Sequence, residues 1–126
     1  MEVKTVTPPA GRPTVQSYGP ESFVISGNVY KTAVFIFADG VVEWQPATPI
    51  GVGTFAKAIE RRGDFDLLLI GYGDRHDDMP QDLALRLRGE GVPSELMGTG
   101  AACRTYNLLA AEGRRVAAAL LPAGQI

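Results

Sequence analysis

The chain has 126 residues, 45% of them apolar and 21% charged, a balance that suits a packed core and argues against a wholly disordered chain. Its formal net charge is −2, so bulk charge supplies no drive toward nucleic acid or an anionic membrane surface. One cysteine, Cys103, and one histidine, His76, exclude an intramolecular disulfide and a structural zinc site built from Cys and His.

Pro8, Pro9, Gly11 and Pro13 mark residues 1–14 as an irregular arm, because proline removes backbone donors and fixes φ. One domain is expected over 15–126. No apolar run follows Met1 as in a secretory signal, and the early residues lack the Arg and Ser content of a mitochondrial transit peptide. The apolar stretches 67–70 and 116–121 fall far short of the roughly 20 residues that span a bilayer. The expected setting is a bacterial cytoplasm, with no membrane insertion.

The first third of the chain reads as strands. Residues 15–18 form a short one, closed by Gly19-Pro20. Residues 22–26 follow, with Phe23 and Ile25 on one face, and Gly27-Asn28 is a turn signal. Residues 32–37 are rich in β-branched and aromatic side chains, and Asp39-Gly40 predicts a hairpin turn into 41–44. Pro46 and Pro49 then end regular pairing.

From residue 53 helices and strands alternate. Thr54 can cap a helix in which Phe55, Ala58 and Ile59 share a face. Arg61 and Arg62 suit its negative end, and Gly63 can take the left-handed closing conformation. Residues 65–70 are a continuous apolar run, as expected of a strand covered on both faces. Pro80 is placed to open a second helix, with Met79, Leu83 and Leu87 aligned, ending near residues 89–91. Residues 94–97 read as a strand, 99–112 as a third helix closed by Gly113, and 114–121 as the last strand. On the third helix Ala101, Thr105, Leu108 and Glu112 share one face, extended by Ala102 and Leu109. Arg104, Tyr106 and Asn107 are its polar members. Strands separated by helices predict right-handed crossovers and helices on the faces of a sheet.

Two strands end in a Gly-x-Gly triplet, Gly71-Tyr72-Gly73 and Gly98-Thr99-Gly100. Glycine lets the chain turn sharply and brings N–H groups close to whatever occupies the edge. The second triplet leads into a helix, whose first N–H groups lack intrahelical partners and can receive an anion. The plainer reading, two tight connections, is preferred, because Cys103 stands where a third glycine would complete the dinucleotide-binding pattern. The alternative is a small anionic ligand in a cleft between the triplets, with Arg104 neutralising charge and Cys103 or Asn107 facing the ligand. Asp74, His76, Asp77 and Asp78 contain donors suited to a divalent cation. A solvated loop needs the same residues, with Asp78 helping to cap the next helix, and that reading is preferred. A helix start and Arg104 would lower the pKa of Cys103, but no local base accompanies it, so a packing role is preferred. Asn107, amid Ala and Leu, reads as a buried hydrogen-bonding group before a catalytic one.

Further blocks carry a resemblance. Tyr18-Gly19, 23–27 (FVISG) with Tyr30, Val42-Glu43-Trp44, 69–73 (LIGYG), 91–97 (GVPSELM), 102–109 (ACRTYNLL) and 112–116 (EGRRV) together resemble the Mth-like family. The resemblance covers roughly residues 15–122, and its C-terminal block is the specific part. Tyr72 departs from the commoner Gly-Thr-Gly at the first turn. Members of that family include a mitochondrial respiratory complex I assembly factor and an adipogenesis-associated protein. The resemblance implies a three-layer α/β fold: a mixed central sheet with helices on its faces and an additional β-hairpin layer. It implies an assembly or scaffold role carried by protein–protein contacts and brings no catalytic residues; no metal or cofactor is expected.

The expected function is therefore a non-enzymatic interaction protein with protein partners, and the ligand-binding cleft is the alternative. Tyr30 and Trp44 read as core or sheet-face aromatics, since no basic cluster surrounds them as a nucleic-acid stacking platform requires. A homodimer through a sheet edge, with Phe35, Phe37 and Trp44 as its apolar patch, is a further expectation.

Overall fold

A computed structural model describes residues 11–124. In chain order its strands are β1 (Val15–Tyr18), β2 (Phe23–Ile25), β3 (Asn28–Tyr30), β4 (Ala33–Phe37), β5 (Gly40–Trp44), β6 (Leu67–Gly71), β7 (Ser94–Met97) and β8 (Val116–Leu120). Its α-helices are α1 (Ala56–Glu60), α2 (Leu83–Gly89) and α3 (Thr99–Ala111). Strands β1 to β3 form a small antiparallel sheet, and the other five form a mixed sheet in the order β5-β4-β8-β6-β7. Within it β6 runs parallel to both neighbours, while β4 is antiparallel to β5 and β8. The α/β class and mixed central sheet agree with expectation.

Period-two alternation sorts the central strands onto two cores. Phe35, Phe37, Leu68, Ile70, Ala117 and Ala119 face a layer holding Phe55, Ala58, Leu83 and Leu87. Val34, Ile36, Leu69, Ala118 and Leu120 face the opposite layer, where α3 and the small sheet supply Cys103, Tyr106, Phe23 and Ile25. Trp44 packs against Phe35 at a tilt of 33°, with ring centroids 4.2 Å apart, and meets Phe55 at 5.5 Å. Each fully buried side chain of this size contributes about 1.5–3 kcal/mol.

The structure also corrects several expectations. The turn between β2 and β3 is Ser26-Gly27, with φ of 48° and 87°, so Asn28 begins a strand rather than ending a turn. Positive φ at both central residues suits a two-residue hairpin. The added strand, β3, is too short and too exposed to show an alternating pattern. Gly63 lies in a short 3₁₀ turn, Arg62–Asp64, and has no positive φ. Pro80 does not open α2; its carbonyl accepts from Leu83 N–H at 3.1 Å, and the helix begins there. On α3 the buried face is Thr99, Ala102, Cys103, Tyr106 and Ala110, whereas Leu108 is 60% exposed. Phe35 and Phe37 are fully buried and offer no surface patch. Of the expected arm, residues 1–10 lie outside the described residues. Pro13 and Thr14 accept hydrogen bonds from Tyr106 and Ser26.

Candidate functional site

Strands β6 and β7 are parallel neighbours, so both glycine triplets emerge on one rim of the sheet. Gly71 is in register with Met97, and Tyr72 N–H donates to Met97 carbonyl at 3.0 Å. Gly71 is there because α3 starts against it. A Cβ at that position would lie 2.9 Å from Thr99 Cα. Gly73 has φ of +63°, and a side chain there would collide with the carbonyl oxygen of Pro122.

Thr99 is the polar centre of this rim. It is 2% exposed. Its hydroxyl accepts from Gly73 N–H at 2.8 Å and donates to Leu121 carbonyl at 2.6 Å. One side chain thereby ties the turn after β6, the start of α3 and the end of β8. Leu121 N–H donates back to Gly71 carbonyl at 2.8 Å.

The second triplet is covered from above. Gly98 is the extended N-cap of α3, and no side chain caps it. Tyr18, from β1, lies over Gly100, where a Cβ would sit 2.7 Å from the phenol oxygen. Arg104 Nη1 donates to that same oxygen at 2.7 Å. The turns thus come together as the sequence suggests, but the Thr99 side chain stands between them and Tyr18 lies over the helix start.

Cys103 and Asn107 are turned to internal partners rather than toward the rim. Cys103 is 1% exposed, and burial pushes its thiol up to about 12 despite the nearby positive charge of Arg104. This supports packing over nucleophilic chemistry. Asn107 Nδ2 donates to Val15 carbonyl at 2.7 Å, and its Oδ1 accepts from Val15 N–H at 2.9 Å. Tyr106, read from sequence as a polar member, is fully buried and donates to Pro13 carbonyl at 2.9 Å. Burial raises its phenol to about 12.

In the loop after β6, Asp78 pairs with Arg75 at 2.8 Å instead of capping α2. His76 Nδ1 lies 3.3 Å from Asp77 Oδ1, and both side chains are exposed. Among the described residues no group of three or more His, Cys, Asp or Glu is arranged to hold a metal.

Two open grooves flank the turns, and sequence reasoning located neither. One, of about 360 Å³, includes Lys31, Trp44, Asp74, Arg75 and Pro122. The other, of about 370 Å³, is lined by Tyr72, His76, Met79, Ala84 and Leu96 among others. The walls of the first come from four separated segments, and the second needs Leu96 of β7 to close over the stretch from Tyr72 to Ala84. Among the described residues no helix is long and apolar enough to cross a membrane.

A protein family described as "Protein of unknown function (DUF498/DUF598)" matches residues 15–121. An uncharacterized protein of Rhodobacter capsulatus is 39% identical over 113 residues, covering 90% of this chain and 87% of that protein. The Homo sapiens protein named NADH dehydrogenase (ubiquinone) 1 alpha subcomplex assembly factor 3 is 28% identical over 110 residues, which are 86% of this chain. This chain spans about 60% of that assembly factor's length. The solution structure of a Bordetella pertussis protein, titled a Mth938-like domain, superposes with a TM-score of 0.76. It is 29% identical and covers 99% of this chain and 94% of its own.

Proposed function

This chain belongs to the DUF498/DUF598 family, and on that premise we propose that it is a non-enzymatic interaction protein that helps assemble or stabilise a respiratory NADH dehydrogenase. The observation that carries the reading is the similarity to the named assembly factor across 86% of this chain. At 110 residues the shared region has the size of the folded body rather than of a short motif. The internal geometry is compatible with this reading. The lone thiol is buried, and the amide and hydroxyl that looked most chemical, Asn107 and Thr99, hold backbone groups. A cytoplasmic setting is part of the same proposal.

A small anionic ligand at residues 71–73 and 98–100 ranks second. Gly73 N–H is already used by Thr99, and Tyr18 lies over Gly100.

The test is the level of assembled NADH dehydrogenase on native gels in a host strain deleted for the chain. The expected result is a loss of the full complex with retention of smaller intermediates, restored by the intact chain. Normal complex levels, together with no reproducible partner for a tagged copy, would sink the proposal.

A further inference from the structure

Strand β7 is one edge of the five-stranded sheet. Leu68 N–H donates to Pro93 carbonyl, and Tyr72 N–H to Met97 carbonyl. In a parallel ladder the residues between these, alternating with them, turn the other way. Ser94 and Leu96 therefore direct their N–H and C=O groups outward, and among the described residues no backbone group meets them. Such a row recognises one thing well, an extended polypeptide backbone.

The second observation lies at the end of that edge. The groove of about 370 Å³ has walls from Leu96 on β7, Ala84 on α2, and Tyr72, His76 and Met79 in the loop between β6 and α2. The Tyr72 and His76 rings meet edge to face at 5.0 Å and form one side. A free edge beside an apolar groove can pair a main chain and seat one of its side chains.

Charge selects the occupant. Asp78 is paired with Arg75, and Asp82 lies 3.8 Å from Arg86. Asp77 has only His76 beside it, and Glu95, exposed on β7 itself, makes no ion pair among the described residues. Glu95, the single charged residue of β7, thus sets an unpaired carboxylate on this edge. A second copy of this chain is a poor fit: the antiparallel self-pairing that joins the outward groups of Ser94 to those of Leu96 sets Glu95 opposite Glu95, and like charges directly opposite destabilise a ladder.

We propose that β7 docks an extended segment of a partner protein in which lysine or arginine flanks an apolar residue. The segment adds as a sixth strand, and its apolar side chain enters the groove at Leu96 and Met79. This rests on reading the chain as an interaction protein and names the surface that reading lacks.

The experiment is a selection of random octapeptides displayed on phage, panned on the intact chain and subtracted against Ser94→Pro. Proline there blocks the outward N–H at an edge position where proline is tolerated. A ¹H–¹⁵N spectrum checks that the variant is folded. Should it not fold, Glu95→Lys, an exposed change, replaces it. The expected winners alternate apolar and basic residues and shift the amides of Ser94 and Leu96. They bind Glu95→Lys at least tenfold more weakly. Enrichment of acidic peptides, shifts confined to β5 or to the groove at Lys31, or no enrichment over the blocked variant would overturn the proposal. Dilution-dependent shifts at Ser94 and Leu96 without any peptide would do so too, by showing a second copy there. The two readings fail separately. If Ser94→Pro fully restores the deletion strain, the edge is wrong and the assembly role stands. If deletion has no effect, the assembly role falls while the peptide selection still judges the edge.

Discussion

Asn107 on α3 holds Val15 on β1 by both of its backbone groups, at 2.7 and 2.9 Å, so a side-chain amide substitutes for a neighbouring strand. Replacing it by Ala leaves a donor and an acceptor without partners at a half-buried site. We expect a loss of about 1–3 kcal/mol, read by urea denaturation, with faster amide exchange at Val15. Asn107→Asp should be worse than Ala at neutral pH, because a carboxylate would face the Val15 carbonyl.

The hydroxyl of Thr99 makes a parallel case. Thr99→Val keeps the shape and removes both bonds, to Gly73 N–H and Leu121 carbonyl. The expected cost is about 1–3 kcal/mol. Thr99→Ser retains the hydroxyl and should lose less. Equal midpoints for Val and Ser in urea would show that the clasp contributes nothing.

Cys103 and Tyr106 make stability fall in alkali. Burial raises the thiol from 9.0 to about 12, and burial likewise raises the phenol from 10.0 to about 12. Above pH 9 the unfolded chain releases these protons first, so it binds fewer protons than the native state and stability declines as pH rises. The contribution is complete below pH 9 and is lost by about pH 12. In Cys103→Ala the stability curve should be flatter between these limits. Native protein should react with a thiol reagent at pH 8 far more slowly than protein in denaturant.

The two faces of α3 should respond oppositely to substitution. Leu108 is 60% exposed, so Leu108→Lys should change stability by no more than about 0.5 kcal/mol. Ala102 is fully buried, and a Cβ placed on Gly71 would lie 3.1 Å from its methyl group. Ala102→Leu should overfill that contact and cost about 1–3 kcal/mol. Thermal melts of the pair decide which face packs.

Local chemistry made much of this fold legible. Residues 94–97 are bounded by Pro93 and Gly98, which interrupt regular structure, and β7 occupies those positions. Gly113 closes α3 with φ of +80°, as a helix end requires. Reading α3 by apolarity alone misplaced its buried face, because Leu108 looked like core and Tyr106 looked polar. What decides burial there is that Tyr106 has Pro13 carbonyl within reach, a contact 93 residues away along the chain. The same distance hid the meaning of Asn107, whose partner Val15 lies 92 residues away.

By itself the sequence determined the order of the elements apart from β3, the burial of β6 between two layers and the presence of paired glycine turns, since all three depend on neighbours a few residues apart. It also carried the family resemblance through its C-terminal block. Only the tertiary structure decided what fills those turns. Thr99, Tyr18 and Pro122 reach them from separate elements, and whether a glycine makes room for a ligand or for its own chain depends on who arrives there. The free edge of β7 was likewise invisible, because an unpaired strand is defined by the order of strands across the sheet and not by its own residues.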